Sequence, residues 1–431
     1  MIDTLFLLPR DGLRYLIATD AGTSGTIKFR RSDSDGLVLI SYLRNSTAGF
    51  QLQLDPRSHP LNTGLPGGDG FWFRVPAELH GLWYEITRRG EHVGVSFDAF
   101  AARLPKQLMD PGALGYFALT YAPDADKPPY DEAPVPRLAA WRVTRKAVFG
   151  ASVAVEPEPI GITQLEPYWP VTDLASVTVM VVGVGSIGGA AATALAGYGL
   201  GRLLLVDPDR LLWHNLIRHV LPRRYIGKFK VDALRDYLAD RHGDTEIAAF
   251  RYDVVNDADL IRALLQETSI ILCCTDGVAP RRASSHLARR AGKPAILACV
   301  LADGGIGEVI RLRPWPDHGC LLCRRQALTN EGTLDPEPAL EAGYGTGTLH
   351  HPMTAVGSDL FLIGNLAAKI TVSTALEAAG HFAHRLPSEH LTVGLQACRG
   401  WTGPFDLGYT GNVRWAPATP PRADCPTCGQ P

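Results

Sequence analysis

The chain of 431 residues carries 42 Lys and Arg against 44 Asp and Glu, a formal charge of −2, with 46% hydrophobic and 20% charged residues. At roughly 100–200 residues per domain this length implies two or three domains, and the composition excludes wholesale disorder. The near-neutral balance argues against a protein built mainly to bind nucleic acid or anionic membranes, and no stretch approaches the roughly 18 uninterrupted apolar residues of a membrane span.

The first ten residues, Met-Ile-Asp-Thr-Leu-Phe-Leu-Leu-Pro-Arg, hold too short an apolar run for a signal peptide, so a soluble cytoplasmic setting is expected. Residues 1 to about 122 read as β-rich. Leu37–Leu43, Phe50–Leu54 and Phe71–Val75 are short strand-like runs between Gly, Pro and Asn breakers. Trp83–Thr87 and His92–Phe97 are predicted to pair across the polar turn Arg88–Glu91. The aromatic cluster Phe71, Trp72, Phe73 and Trp83 reads as the core of a small β domain rather than a binding surface. Residues 123–136 are rich in Pro and acidic side chains, which suit neither helix nor central strand. A β-rich N-terminal domain, placed at residues 1–150 with a partner- or substrate-binding role, is therefore expected to end in a Pro-rich linker. A second Pro-punctuated stretch covers roughly 156–170.

From about residue 176 the pattern changes to alternating strands and helices. Val177–Val182, Arg202–Val206, Ile270–Cys274 and Ala295–Val300 are apolar runs of buried-strand type. With helical segments between them they predict an α/β domain over 160–431, a doubly wound, mainly parallel, Rossmann-like sheet. Gly183-Val-Gly-Ser-Ile-Gly188 follows the first of these strands and opens a helix, and Asp207 ends the next. Gly183, Gly185 and Gly188 let backbone approach phosphates at a helix N-terminus, and Asp207 is placed to accept ribose hydroxyls. NAD and ATP both satisfy that pattern.

Residues further on discriminate. Asp207-Pro-Asp-Arg-Leu-Leu-Trp-His-Asn215-Leu-Ile-Arg218, then Gly227-Lys-Phe-Lys230, then Cys274-Thr-Asp276, resemble the adenylation domain of the ThiF/MoeB/ubiquitin-activating family. The resemblance spans roughly residues 165–431. It implies that Asp207 holds the ribose, that Asn215, Arg218 and Lys230 hold phosphates, and that Asp276 holds Mg²⁺ near the α-phosphate. It also implies catalytic roles for Asp276, Arg218 and Lys230, and a homodimer. The residue types suit the chemistry. Adenylating a carboxylate brings an anion to a polyanionic triphosphate, so cationic groups and Mg²⁺ are needed to offset the repulsion. Relatives carry an Arg shortly before the Gly-rich strand that reaches into the partner subunit; here none lies between Arg145 and Arg202. Either Arg142 or Arg145 serves, or the role is absent.

All eight cysteines lie after residue 272, which suits metal ligation in a large chain better than a disulfide framework. Cys320-Leu-Leu-Cys323 and Cys425-Pro-Thr-Cys428 form two knuckles suited to one structural Zn²⁺, a redox dithiol being the alternative for either pair alone. His318, His350 and His351 read as packing or surface residues rather than extra ligands. Cys273, Cys274 and Cys299 fall in apolar runs of core type, and Cys398 reads as an inert thiol.

These features lead to an ATP-dependent adenylyltransferase acting on the C-terminal carboxylate of a ubiquitin-like or sulfur-carrier protein, with a conjugating enzyme as a further partner that the resemblance allows. The alternatives are an enzyme adenylating a small peptide in antibiotic biosynthesis, a non-catalytic scaffold and an NAD-dependent dehydrogenase. Retention of Arg218, Lys230 and Asp276 speaks against the scaffold, and the cysteine pairs speak against the dehydrogenase. Relatives that pass their substrate onward use a Cys at a position that falls near His350. The segment from Arg324 to Ala397 contains none, so no stable thioester is expected.

Overall fold

Apolar alternation closes the N-terminal strands into a barrel in the computed structural model, which describes residues 4–45, 51–53, 66–89, 93–104, 110–127, 135–157, 161–333 and 355–429. The chain divides into two units, Met1–Ile160 and Gly161–Pro431. In the first unit, β1 (Leu5–Leu8) leads through helix α1 (Arg10–Ile17) to β2 (Ser24–Ser32), β3 (Leu37–Asn45), the short β4 (Gln51–Gln53) and β5 (Gly67–Arg74). Helix α2 (Ala77–Arg89), β6 (Gly94–Val95), helix α3 (Phe97–Ala101), β7 (Tyr116–Tyr121), β8 (Leu138–Val143) and β9 (Val148–Val155) complete it. The order β1-β3-β2-β5-β7-β8-β9 returns to β1, whose Leu5–Leu8 pairs with Ser152–Val155. Closure removes the open edges of these strands. Phe6, Ile27, Trp72 and Leu119 fill one core, while α2 and α3 pack Leu79, Ile86 and Phe100 against Trp141 and Val148 in a second.

Two sequence readings of this unit are corrected. Trp83–Thr87 is not a strand but the middle of α2. Leu79, Leu82, Trp83 and Ile86 form an i, i+3, i+4, i+7 stripe that outweighs the β-propensity of Trp, Tyr and Ile. Of the predicted strand His92–Phe97, the described residues 93–97 are strand only at Gly94 and Val95; these pair with β9, and Ser96 caps α3 by accepting from the Ala99 N–H at 3.2 Å. The stretch 123–136 is no interdomain linker either, because β8 and β9 follow it and pair within the same barrel. Proline breaks an element as readily between adjacent strands as between domains. The aromatic cluster is core as expected, with Trp72 and Phe73 buried and Phe71 and Trp83 packed against it.

Among the described residues, Gly161–Pro431 is built on a sheet of eight strands. The helices in order are α4 (Val171–Ala175), α5 (Ser186–Gly197), α6 (Lys230–Ala239), α7 (Ala258–Leu264), α8 (Val278–Arg290), α9 (Leu321–Asn330) and α10 (Gly357–Ala378). The strands are β10 (Thr178–Val182), β11 (Arg202–Val206), β12 (Glu246–Phe250), β13 (Ile270–Cys273), β14 (Ala295–Leu301), β15 (Ile306–Leu312), β16 (His390–Gly394) and β17 (Val413–Ala416). β12-β11-β10-β13-β14 are parallel, and β15, β16 and β17 continue antiparallel. Val179 and Val181 feed one core, Met180 and Val182 the other, as a sheet covered on both faces requires. α10 is long and apolar enough to cross a membrane, but 61% of its apolar window is buried in this core. It lies so close to α5 that a Cβ on Gly364 would sit 2.5 Å from the Ile187 carbonyl oxygen.

A buried polar network fastens α9 to the sheet. Glu308 on β15 accepts from Arg325 on α9 and is hydrogen-bonded to His390 on β16 at 2.9 Å, while Arg324 donates to His390 Nδ1 at 3.0 Å. Burial opposes the charge of Glu308, yet Arg325 and His390 hold its carboxyl far below the usual range.

In the barrel, His80 Nδ1 donates to the Pro136 carbonyl at 2.7 Å and Nε2 meets Thr120 Oγ1 at 2.8 Å. Burial lowers the pKa of His80 to about 4. The unfolded chain takes up this proton near pH 6.5 and the folded chain only near pH 4, so acid favours unfolding in that window, on the order of 3 kcal/mol in all. His80→Asn should show a smaller stability loss than the unsubstituted chain between pH 6.5 and 4 in denaturant titrations. Parallel profiles would reject this role.

Candidate nucleotide site and metal centre

The strand order reverses between β10 and β13, which opens a crevice at the C-terminal ends of the parallel strands. The three motif glycines line it for different reasons. Gly183 has a φ of +80°, and a Cβ there would meet Thr275 Cγ2 at 2.7 Å. A Cβ on Gly188 would lie 1.8 Å from the Gly183 carbonyl oxygen. Gly185, at the N-cap of α5, has a φ of −72°, and its Cβ would meet nothing within 4 Å. Neither packing nor a positive φ calls for glycine there. The open space leaves the helix N-terminus accessible for close approach by a ligand.

Asp207 is buried and points back at this loop, accepting from the Val184 N–H at 2.9 Å and the Asp209 N–H at 2.8 Å. Burial raises its pKa, against the opposing charge of Lys230 and these two N–H groups. Lys230, at the first position of α6, donates to Asp209 Oδ2 at 2.8 Å and lies 4.0 Å from Asp207 Oδ1. Burial opposes its charge, but Asp207, Asp209 and, at longer range, Asp276 raise its pKa. Lys230 is thus the counter-charge of the acidic group and sits within the electrostatic reach of Asp276.

Asn215 is buried, and its Oδ1 accepts from the Leu212 N–H at 2.8 Å, which leaves its amide group available to a ligand. Arg218 is half-buried and has no ion-pair partner among the described residues. Asp276 follows β13 on an exposed turn. Sequence reasoning missed two members of this group, Asp209 and His219. His219 Nδ1 accepts from the Leu221 N–H at 3.1 Å, so Nε2 carries the proton and donates to the Val184 carbonyl at 2.9 Å. Burial lowers its pKa to about 4 and keeps it neutral. Its place beside Arg218 was the available signal.

The Arg residues considered for a trans-acting role lie in the first unit. Arg145 makes a two-pronged pair with Asp110, at 2.8 and 2.5 Å, and this pair pulls the Asp110 pKa down to about 2. Arg142 lies over the Phe149 ring. The positions near His350 and His351 fall outside the described residues.

Cys320, Cys323, Cys425 and Cys428 bring their four Sγ atoms within 4.8 Å of one another. Cys320 Sγ lies 4.0 Å from Cys323 Sγ and 3.5 Å from Cys425 Sγ. Thiolates about 2.3 Å from a tetrahedral Zn²⁺ sit roughly 3.8 Å apart, so the cluster fits that ion closely. Gly319 is required here, since a Cβ would lie 2.6 Å from Cys323 Cβ. His318 belongs to another group, stacked edge-on to Trp315 and paired with Asp317. Cys273, Cys274 and Cys299 are buried core thiols. Cys398 is buried with Phe405 and Leu407, and burial raises its pKa, which disfavours a nucleophilic thiolate.

Fold and site define a doubly wound α/β protein with a phosphate-type cradle and a four-cysteine centre. The ThiF family profile matches residues 167–405, more than half of the chain, and the chain belongs to the ThiF family. It is 38% identical over 144 residues to the adenylyltransferase and sulfurtransferase uba4 of Aspergillus niger, covering 33% of this chain and 30% of that one. It is 29% identical over 214 residues to the adenylyltransferase and sulfurtransferase MOCS3 of Anopheles gambiae, covering 49% and 44%. The chain therefore spans less than half the length of these relatives. Among solved structures, E. coli MccB with AMPCPP and MccA aligns at a TM-score of 0.44 and 17% identity, over 60% of this chain and 68% of that one.

Gly185→Ala should leave the melting temperature within about 2 °C of the parent and weaken nucleotide binding by calorimetry. Gly188→Ala should cost about 3 kcal/mol or prevent folding. Equal nucleotide affinity in Gly185→Ala would remove the argument for a ligand above that residue. The cysteine cluster predicts one Zn²⁺ per chain by elemental analysis. Chelation or Cys425→Ser should lower the melting temperature by about 5 °C or more, and metal-free protein of undiminished stability would refute the site.

Proposed function

We propose that the chain adenylates the C-terminal carboxylate of a ubiquitin-like or sulfur-carrier protein, using ATP and Mg²⁺. The observation that carries this reading is a helix N-terminus whose Gly185 opens on empty space, with the loop before it held by His219, the sequence neighbour of Arg218, a guanidinium without an ion-pair partner among the described residues. A cradle of this kind suits the triphosphate and the charge that builds as pyrophosphate departs. The named activity of the curated relatives, adenylyltransferase and sulfurtransferase, supports the same reaction.

In this reading Asp207 orients the ribose hydroxyls, and Asn215 and Arg218 hold phosphate oxygens. Lys230 balances Asp207 and Asp209 and adds positive charge at the phosphates. Asp276 would hold Mg²⁺, which supplies charge neutralisation at the reacting phosphate. His219 positions the Gly-rich loop through Val184. Burial of Cys398 supports an acyl-adenylate as the end of the chemistry on this chain.

Carrier-dependent exchange of pyrophosphate into ATP tests the proposal, because acyl-adenylate formation is reversible. Asp276→Ala and Arg218→Ala should each lower exchange by about 10²-fold or more. Full exchange in both variants would reject the assigned roles, and exchange driven only by a short peptide would replace the carrier protein as substrate. A thiol-sensitive adduct on a non-reducing gel, lost in Cys398→Ala, would overturn the absence of a thioester.

A further inference from the structure

A cavity of about 480 Å³ opens far from the nucleotide cradle. β15 runs antiparallel to β14, from Ile306 beside Leu301 to Leu312 beside Ala295. Arg311 and Arg313 therefore emerge at the N-terminal ends of the parallel strands, whereas Gly183, Asp207 and Asp276 follow their C-terminal ends. α10, about 33 Å long at 1.5 Å per residue, spans the distance. Its Gly357 lies against Arg218, and its Glu377 pairs with Arg311.

The cavity floor carries more positive than negative charge. Arg311 is buried and held by Glu389 at 2.7 and 2.9 Å and by Glu377. Arg313 shares the same carboxylates, bonding Glu389 and lying 3.7 Å from Glu377. Arg385 at the rim is 72% exposed and 3.9 Å from Glu377. Among the lining residues three guanidinium groups thus face two carboxylates; the exposed Asp317 adds a third acidic group at longer range from Arg313, paired with Nδ1 of His318, whose Nε2 is 4.0 Å from Glu389. Arg313 is locked in place with its guanidinium 3.4 Å from the centre of the Trp315 ring, and its buried Nε has no hydrogen-bond partner. Burial and the neighbouring Arg311 charge lower the pKa of Arg313, against the opposing effect of Glu389 and Glu377. Leu386, Pro387 and Pro417 supply apolar wall. Charge fixed by stacking, an apolar wall and a volume of this size are the ingredients of a small-molecule site.

We propose that this cavity binds a small organic oxyanion, a carboxylate or a phosphate monoester, with its charged head on Arg313 and Arg385 and its apolar body against Leu386 and Pro417. A dedicated structural ion-pair cluster would instead balance its charges and close over them.

Calorimetric titration of the full chain carrying Arg218→Ala keeps the nucleotide cradle from dominating the signal. Phenyl phosphate, benzoate and the cation benzamidine are titrated at constant ionic strength. At least one anion should bind saturably with one site per chain and benzamidine should not, and the better anion identifies the head group. Adding Arg385→Gln, a surface change that should leave the melting temperature unaltered, should weaken the anion by about fivefold or more. Saturable binding of neither anion, equal binding of benzamidine, or unchanged affinity in Arg385→Gln would overturn the proposal.

Discussion

The close approach of Gly188 to the Gly183 carbonyl governs the second unit. With no side chain at Gly188, α5 starts directly over the end of β10 instead of standing off the sheet. The crevice at the strand-order reversal then receives a helix N-terminus, with its unsatisfied N–H groups and positive end of the dipole. Two side chains hold the intervening turn through the two peptide groups that flank Val184. Asp207 accepts from the Val184 N–H, and His219 donates to the Val184 carbonyl. Both bonds are internal to the protein, so the turn is positioned without a ligand, as a preorganised site requires.

A second constraint holds the other side of the sheet. α9 begins at the first cysteine knuckle and carries Arg324 and Arg325 into the buried network around Glu308 and His390. The cysteine cluster, whose spacing fits a metal, and an ion pair in the core thus meet on the same short helix. Removing one partner of such a buried pair strands a charge, so the network is a stronger restraint on geometry than a source of net stability.

The doubly wound core was legible because strands buried on both faces read as continuous apolar runs, as in Val177–Val182 and Ile270–Cys274. The glycine turn and the paired cysteines were legible because spacing alone encodes them; Cys320 and Cys425 meet across 105 residues. The barrel was harder to read. Its closure depends on β1 pairing with β9, a contact between chain segments far apart in sequence that no local pattern announces. Trp83–Thr87 read as strand because its aromatic and branched residues have β-propensity, while the helical stripe begins earlier, at Leu79. His219 escaped because its residue type does not separate a buried positioning histidine from a surface one, and only its place beside Arg218 pointed to the site.

In the proposed function the crevice over Gly185 takes ATP in one orientation. A crystal structure with a non-hydrolysable ATP analogue and Mg²⁺ tests it most directly. The account predicts ribose hydroxyls on Asp207, phosphates over the Gly185 turn within reach of Asn215 and Arg218, and the metal at Asp276. A nucleotide bound elsewhere on the chain, or one in the crevice with its phosphates turned away from Gly185 and Arg218, would contradict it.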